Sequence, residues 1–262
     1  EPQEIAKELD RSRQMLMAAH ILSPQGYFLL EEKGAFVPAE WKEGQLVATS
    51  DVHPATQEEI LEVVRNHIVP FLINGQGEEK SFSQLGWNEK KYTEEYRKTG
   101  YYLQPWKLLY AVLGNGQDAK KKIGYIIPVN GMGLWDAIYG FIALKPDGNR
   151  VIGISWYDQK ETPGLGANIA EADWQSQFPG KQVFQAGPDG KVEAETALLG
   201  ILVVKGKVQE VLGNAPKALS AVDGMSGATL TGNGVTQAYK TVLQAYRPFL
   251  LKLYREGKAK HE

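Results

Sequence analysis

Apolar residues Ile5, Leu9, Leu16 and Ala19 recur at helical spacing among charged neighbours, which predicts a first helix across 3–22, closed by Pro24. Residues 26–50 show a mixed pattern around Trp41 and predict short strand-like pieces. Thr56-Gln57-Glu58-Glu59 has the order of a capping box, in which the first hydroxyl serves an N–H three residues on and the glutamate reaches back. Ile60, Val63, Val64 and His67 then line one helical face that runs to Pro70, which makes His67 a core-edge histidine. Residues 74–100 are polar and rich in Gly, Lys and Glu, and read as a surface excursion or a loosely ordered loop.

Beyond Pro105 the pattern shortens. Residues 107–113 and 123–129 predict strands joined by a Gly-Asn-Gly turn, and 137–144 and 150–157 flank Lys145-Pro146-Asp147-Gly148-Asn149, a hairpin signal. A short helix is predicted across 170–178. A second hairpin is predicted from 183–186 and 191–193 around Gly187-Pro188-Asp189-Gly190, a buried strand over 198–205 and another short helix over 215–221. The last helix is predicted from Asn233, with Val235, Tyr239, Val242, Tyr246, Phe249 and Leu253 on one side. Helices, then strands that do not alternate with helices, then a closing helix predict an α+β fold: a twisted, mainly antiparallel sheet with flanking helices. The softest boundary lies near 100–106 and divides an N-terminal helix and extension, 1–104, from a main domain, 105–262.

Composition narrows the chemistry. The chain has 262 residues, enough for one large domain or two small ones, and its net charge of −2 creates no global field for nucleic acid or an anionic membrane. The absence of cysteine excludes a Cys-ligated iron–sulfur cluster, a thiolate nucleophile and a cysteinyl flavin bond. Four scattered histidines, His20, His53, His67 and His261, form no zinc-like pair, so no metal ligand is assigned. No apolar run reaches the ~20 residues needed to span a bilayer.

Three segments carry candidate chemistry. The first is Asp223-Gly224-Met225-Ser226-Gly227-Ala228-Thr229-Leu230-Thr231, a hydroxyl-rich loop of small residues that runs into an amphipathic helix. Ser226, Thr229 and Thr231 either cap that helix or serve an anion, because the first N–H groups of a helix lack partners and its dipole favours negative charge. Thr229 is expected to offer its hydroxyl from an open loop. Asp223 orients the loop or helps hold a metal ion. The second segment is Glu161-Thr162-Pro163-Gly164-Leu165-Gly166, where Pro-Gly sets a type II turn. It is either a sharp loop at a strand end or a backbone cradle for a flavin edge, with Glu161 and Thr162 hydrogen-bonding and Leu165 against a ring face. The third is Gly131-Met132-Gly133-Leu134-Trp135-Asp136-Ala137-Ile138-Tyr139-Gly140, in which Trp135 either fills a core at a strand start or stacks on a ring. Lys205 and Lys207 are either solvated or offset the charge of a phosphate or a reduced flavin.

Competing motifs fail. Gly224-x-Ser226 begins a nucleophile elbow, but position 228 is Ala and only His261 follows. Gly131-x-Gly133-x-x-Asp136, Gly164-x-Gly166-x-x-Ile169 and Gly232-x-Gly234-x-x-Gln237 each lack the third glycine of a dinucleotide fingerprint.

Gly-Leu-Trp at 133, Glu-Thr-Pro-Gly-Leu-Gly at 161, Val-Lys-Gly at 204 and Asp-Gly-Met-Ser-Gly-Ala-Thr-Leu-Thr at 223 occur in that order. Together they resemble the C-subunit family of Na⁺-translocating NADH:quinone oxidoreductases. The similarity is close across 128–250 and weaker in the 1–25 helix. The segment before 105 suits that family better than the shorter G subunit of the Rnf complex, which is one alternative; a cofactor-free periplasmic binding or scaffolding module is the other. The resemblance implies an electron-transfer subunit with FMN joined by a phosphoester to Thr229. It further implies attachment by a flavin transferase that uses FAD and Mg²⁺, and electron relay from an iron centre in the D and E subunits to the FMN of the B subunit. It places the domain on the periplasmic side of the inner membrane, behind a transmembrane helix expected to precede Glu1, with NADH bound elsewhere in the complex. The site residues it implies are Thr229 with Asp223, Ser226, Gly227, Ala228, Leu230 and Thr231, together with Trp135, Glu161, Thr162, Gly164, Leu165, Gly166 and Lys207.

Overall fold

A six-stranded antiparallel sheet carries the fold, with helices against both faces. The computed structural model describes residues 1–261. Helix α1 (Pro2–Ala18) leads into a separate three-stranded meander, β1 (Phe28–Glu32), β2 (Ala35–Lys42) and β3 (Gln45–Ala48). Helix α2 (Gln57–His67) passes directly into β4 (Ile68–Ile73), followed by β5 (Glu79–Lys80), α3 (Phe82–Leu85) and α4 (Glu89–Tyr96). Then come β6 (Lys107–Leu113), β7 (Lys122–Met132), β8 (Ala137–Leu144) and β9 (Val151–Asp158). The central sheet has the order β5-β4-β6-β7-β8-β9, each neighbour antiparallel. The chain closes with α5 (Ala172–Gln175), β10 (Leu202–Val203), α6 (Val208–Val211), β11 (Ala221–Val222), α7 (Thr229–Ala245) and α8 (Arg247–Ala259). The predicted α+β class is the observed one.

Side chains alternate across the sheet, and both faces are buried. Ile127 and Val129 of β7 and Ile142 and Leu144 of β8 join α7 and α8 in one core. Ile126, Phe141 and Ala143 point the other way, to α1 and α2. This is why β6–β9 read as nearly continuous apolar runs rather than clean alternation.

The capping box forms: Glu59 N–H donates to Thr56 Oγ1 at 3.1 Å, and Thr56 N–H to Glu59 Oε1 at 2.9 Å. His67 is buried, with Nδ1 3.0 Å from the Leu113 carbonyl. The helix stops at His67, before Pro70, because Ile68 already pairs with Val112 in the sheet.

Several expectations are corrected. Residues 74–100 are not a loose loop: Ser81 and Asn88 cap α3 and α4, and buried Tyr92 donates its hydroxyl to the Trp106 carbonyl at 2.6 Å. The second hairpin has its turn, with Gly187 N–H on Lys191 O at 2.9 Å, but no strands; Phe184 bridges Leu199 instead. The strand predicted over 198–205 contracts to β10, paired in parallel with β11, because Gly200 takes a φ of +126° beside the backbone of α7. The last helix starts at Thr229 rather than Asn233 and breaks at Tyr246 into α7 and α8. Tyr246 donates to the Leu108 carbonyl at 2.5 Å there, and Pro248 in the first turn of α8 loses no helical hydrogen bond.

What positions the site is the close approach of α7 to β7. A Cβ on Gly131 would lie 2.6 Å from Ala238 Cβ, and one on Gly234 would lie 2.1 Å from the Met132 carbonyl oxygen. Only glycine fits these places, so the start of α7 is brought beside the end of β7.

Candidate functional site

Three segments converge at that end of the sheet: the 133–136 loop after β7, the 161–166 turn after β9, and the 223–231 segment, a loop that runs into the first turn of α7. The turn is the predicted type II, with Leu165 N–H on Thr162 O at 3.0 Å and Gly164 at a φ of +78°. Its Glu161 is only 5% exposed and joins all three segments. Oε1 accepts from Leu134 N–H at 2.7 Å and from Thr231 Oγ1 at 2.8 Å, and Oε2 accepts from Trp135 N–H at 3.2 Å. Gly133 and Gly166 leave room for this carboxylate. A Cβ on the first would lie 2.4 Å from Glu161 Oε1, and one on the second 2.5 Å from Thr231 Oγ1.

Trp135 is not a core residue. It is 66% exposed and donates its indole N–H to Thr162 Oγ1 at 3.2 Å. Met132, Leu134, Leu165 and Leu230, in the same three segments or at their edges, are also exposed. Below this rim Asp136 is held below the ordinary carboxyl range by the Ala137 N–H and then by Lys160, 3.3 Å away.

The 223–228 loop is pinned at its start. Asp223 Oδ1 accepts from Val208 N–H at 2.8 Å, its N–H donates to Gln177 Oε1 at 2.8 Å, and its carbonyl accepts from Trp174 Nε1 at 3.0 Å. Lys207 Nζ lies 3.6 Å from Asp223 Oδ2, so this lysine is ion-paired, while Lys205 is exposed. Asp223 therefore orients the loop; among the described residues no acidic cluster suited to a metal ion includes it. Gly227 takes a φ of +74°, where a Cβ would meet Leu165 Cδ2 at 3.2 Å, which places the second segment against the first.

No hydroxyl caps α7. Ala228 is its N-cap and makes no side-chain cap bond. Thr229 is the first helical residue, exposed, and not part of an open loop. Thr231 is 2% exposed and turned in to Glu161, and Ser226 is exposed. The first turn thus presents one outward threonine hydroxyl beside uncapped N–H groups, with only Gly227 and Ala228 before it.

Residues 133–244 match the FMN-binding domain family. The C subunit of the Na⁺-translocating NADH-quinone reductase of Chlamydia caviae is 39% identical over 274 residues, spanning 99% of this chain and 86% of the relative. The corresponding C subunit of Chlamydia pneumoniae is 42% identical over 95% of this chain and 82% of the relative. The chain belongs to the C-subunit family of Na⁺-translocating NADH-quinone reductases. Among solved structures, NqrC of Shewanella oneidensis is similar at a TM-score of 0.61 and 25% identity, covering 95% of this chain and 99% of that one. The FMN-binding domain match contains all three converging segments, from Gly133 to Thr231. This family is one of subunits of a membrane oxidoreductase; no helix of the described residues is long and apolar enough to cross a membrane.

The residues present suit a flavin phosphate. An uncapped helix start takes an anion, the side chains before Thr229 are too small to obstruct it, and an exposed apolar rim can meet a ring. The glycines at 131 and 234, which fit no dinucleotide fingerprint, serve helix–strand packing. Their signal in the sequence was the small pair Gly234 and Ala238, one helical turn apart.

Proposed function

We propose that this chain carries FMN as a phosphoester on Thr229 and relays electrons singly within the sodium-translocating reductase, between centres held by the D and E subunits and the flavin of the B subunit. The observation that carries this reading is the exposed Thr229 hydroxyl at the uncapped first turn of α7, with Thr231 turned inward. FMN supplies the one-electron chemistry. The chain's own residues hold and orient it: the first-turn N–H groups face the phosphate, and Gly227 and Ala228 leave it room. Trp135, Thr162 and Leu165 form the wall for the ring, and exposed Leu134 and Leu230 leave an edge open to partners. No general acid or base is required. Gly164 and Gly166 shape the turn, and Lys207 acts through Asp223. A flavin transferase makes the bond, and the domain works at the periplasmic face of the membrane; both follow from the family resemblance. A cofactor-free module or a G-type Rnf subunit is the competing reading, and similarity to the C-subunit family along nearly the whole chain disfavours both.

The test is the visible spectrum of protein made together with the transferase, then denatured and freed of small molecules. Flavin absorbance that stays with the polypeptide supports the proposal. A colourless chain from a strain in which other covalent flavoproteins are loaded contradicts it.

A further inference from the structure

Glu161 is the one buried carboxylate at this site, and among the described residues no cation reaches it. None of the ion pairs includes it; the nearby Lys160 is turned to Asp136. Its partners are dipoles: the N–H groups of Leu134 and Trp135 and the hydroxyl of Thr231. All three donate and none accepts, which is the complement of an ionised carboxylate. The charge is held in place by backbone and by the Thr231 hydroxyl, in space that only the missing side chains of Gly133 and Gly166 leave open. Thr231 is two residues from Thr229, a rise of about 3 Å along the helix. Trp135 and Thr162, which form the wall, are bonded to each other and flank the same carboxylate.

We propose that Glu161 sets the reduction potential of the flavin by holding a fixed negative charge, met by dipoles rather than by a cation, behind its pocket. This rests on the FMN reading above. Reduction places negative charge on the flavin. A nearby buried anion opposes that through a medium that screens poorly, so it lowers the potential. Glu161 is a positioning residue as well, because it ties the three segments together, and the two roles are separable by the sign of an effect.

Redox titration of the holoprotein, after peptide mapping has located the flavin on Thr229, tests it with two substitutions. Glu161→Gln removes the charge and raises the midpoint potential by about a tenfold shift in the oxidised-to-reduced ratio, about 59 mV for a one-electron couple. Thr231→Val keeps the charge and removes one donor that partly neutralises it, so the potential falls. Opposite signs support the proposal. Two shifts of the same sign, or no shift in Glu161→Gln, overturn it, since a merely loosened site would move both variants alike. If Glu161→Gln does not take up flavin, Thr231→Val decides alone, and an unchanged or raised potential there overturns the proposal. Failure to find flavin on Thr229 in the unsubstituted protein would instead remove the underlying reading.

Discussion

Thr231 and Glu161, 70 residues apart, meet side chain to side chain at 2.8 Å in the interior. The bond divides the hydroxyls of the first turn of α7. Thr231 is consumed by the carboxylate, while Thr229, on the same turn, is exposed to solvent. The bond also holds the helix start to the 161–166 turn and, through Leu134 and Trp135, to the end of β7.

Thr229→Ala is expected to abolish covalent flavin and leave the fold intact. The hydroxyl makes no cap bond and the residue is exposed, so the stability change is within about 0.5 kcal/mol. Urea unfolding of both proteins without flavin checks this. A loss of several kcal/mol would show that Thr229 has a structural role absent from the geometry.

Gly166 and Gly164 differ in why they are glycines. A Cβ at 166 meets Thr231 Oγ1 at 2.5 Å and Glu161 Cβ at 3.0 Å, whereas at 164 nothing lies within 4 Å and only the positive φ resists substitution. Gly166→Ala should cost about 1–3 kcal/mol through overpacking and loosen the Glu161 hub. Gly164→Ala should cost about 1–2 kcal/mol through the left-handed backbone and leave the hub in place. Quenching of Trp135 by a soluble quencher, read against a Trp135→Phe control, separates them: only Gly166→Ala should change it.

Asp223 and Lys207 form an ion pair of unequal partners. Asp223→Ala leaves Val208 N–H without its acceptor and frees the loop, at about 1–3 kcal/mol. Lys207→Ala removes one mostly exposed ammonium at 3.6 Å, at about 0–1 kcal/mol. Equal losses in the two variants would contradict the assignment of loop order to the aspartate.

His20 sits in the left-handed region at a φ of +57°, edge-on to Phe36, and burial lowers its pKa from 6.5. The unfolded chain therefore binds more protons than the folded one as pH falls below 6.5, so stability present above that value is lost as pH drops toward the folded-state pKa. The substitution His20→Asn keeps a residue that tolerates this backbone and removes the titrating group. Denaturant unfolding of both proteins from pH 7.5 downward checks the effect. Below 6.5 the stability of the unsubstituted protein should fall more steeply than that of the variant. Parallel curves would contradict it.

Much of this fold was legible where periodicity and local chemistry agree. The strands β6 to β9, the capping box at Thr56 and the turn at Gly164 all follow from short-range patterns. The misread elements are those that tertiary contacts decide. Tyr92 makes an ordered helix of a polar stretch by burying its ring, and Gly200 breaks an apolar run because α7 passes over it. At the site, the sequence located the three segments but not the division of labour within them. Glu161 reads as a ligand contact until Leu134, Trp135 and Thr231 are seen to occupy it, and Thr231 cannot be told from Thr229 without knowing which way each hydroxyl points.

Mass spectrometry of the tryptic peptide that ends at Lys240, from protein matured with the flavin transferase, tests the Thr229 linkage without intermediary. The predicted result is an FMN-sized adduct joined through its phosphate to Thr229, with Thr231 unmodified. An adduct on Thr231 or Ser226, or an unmodified peptide from fully matured protein, would contradict it.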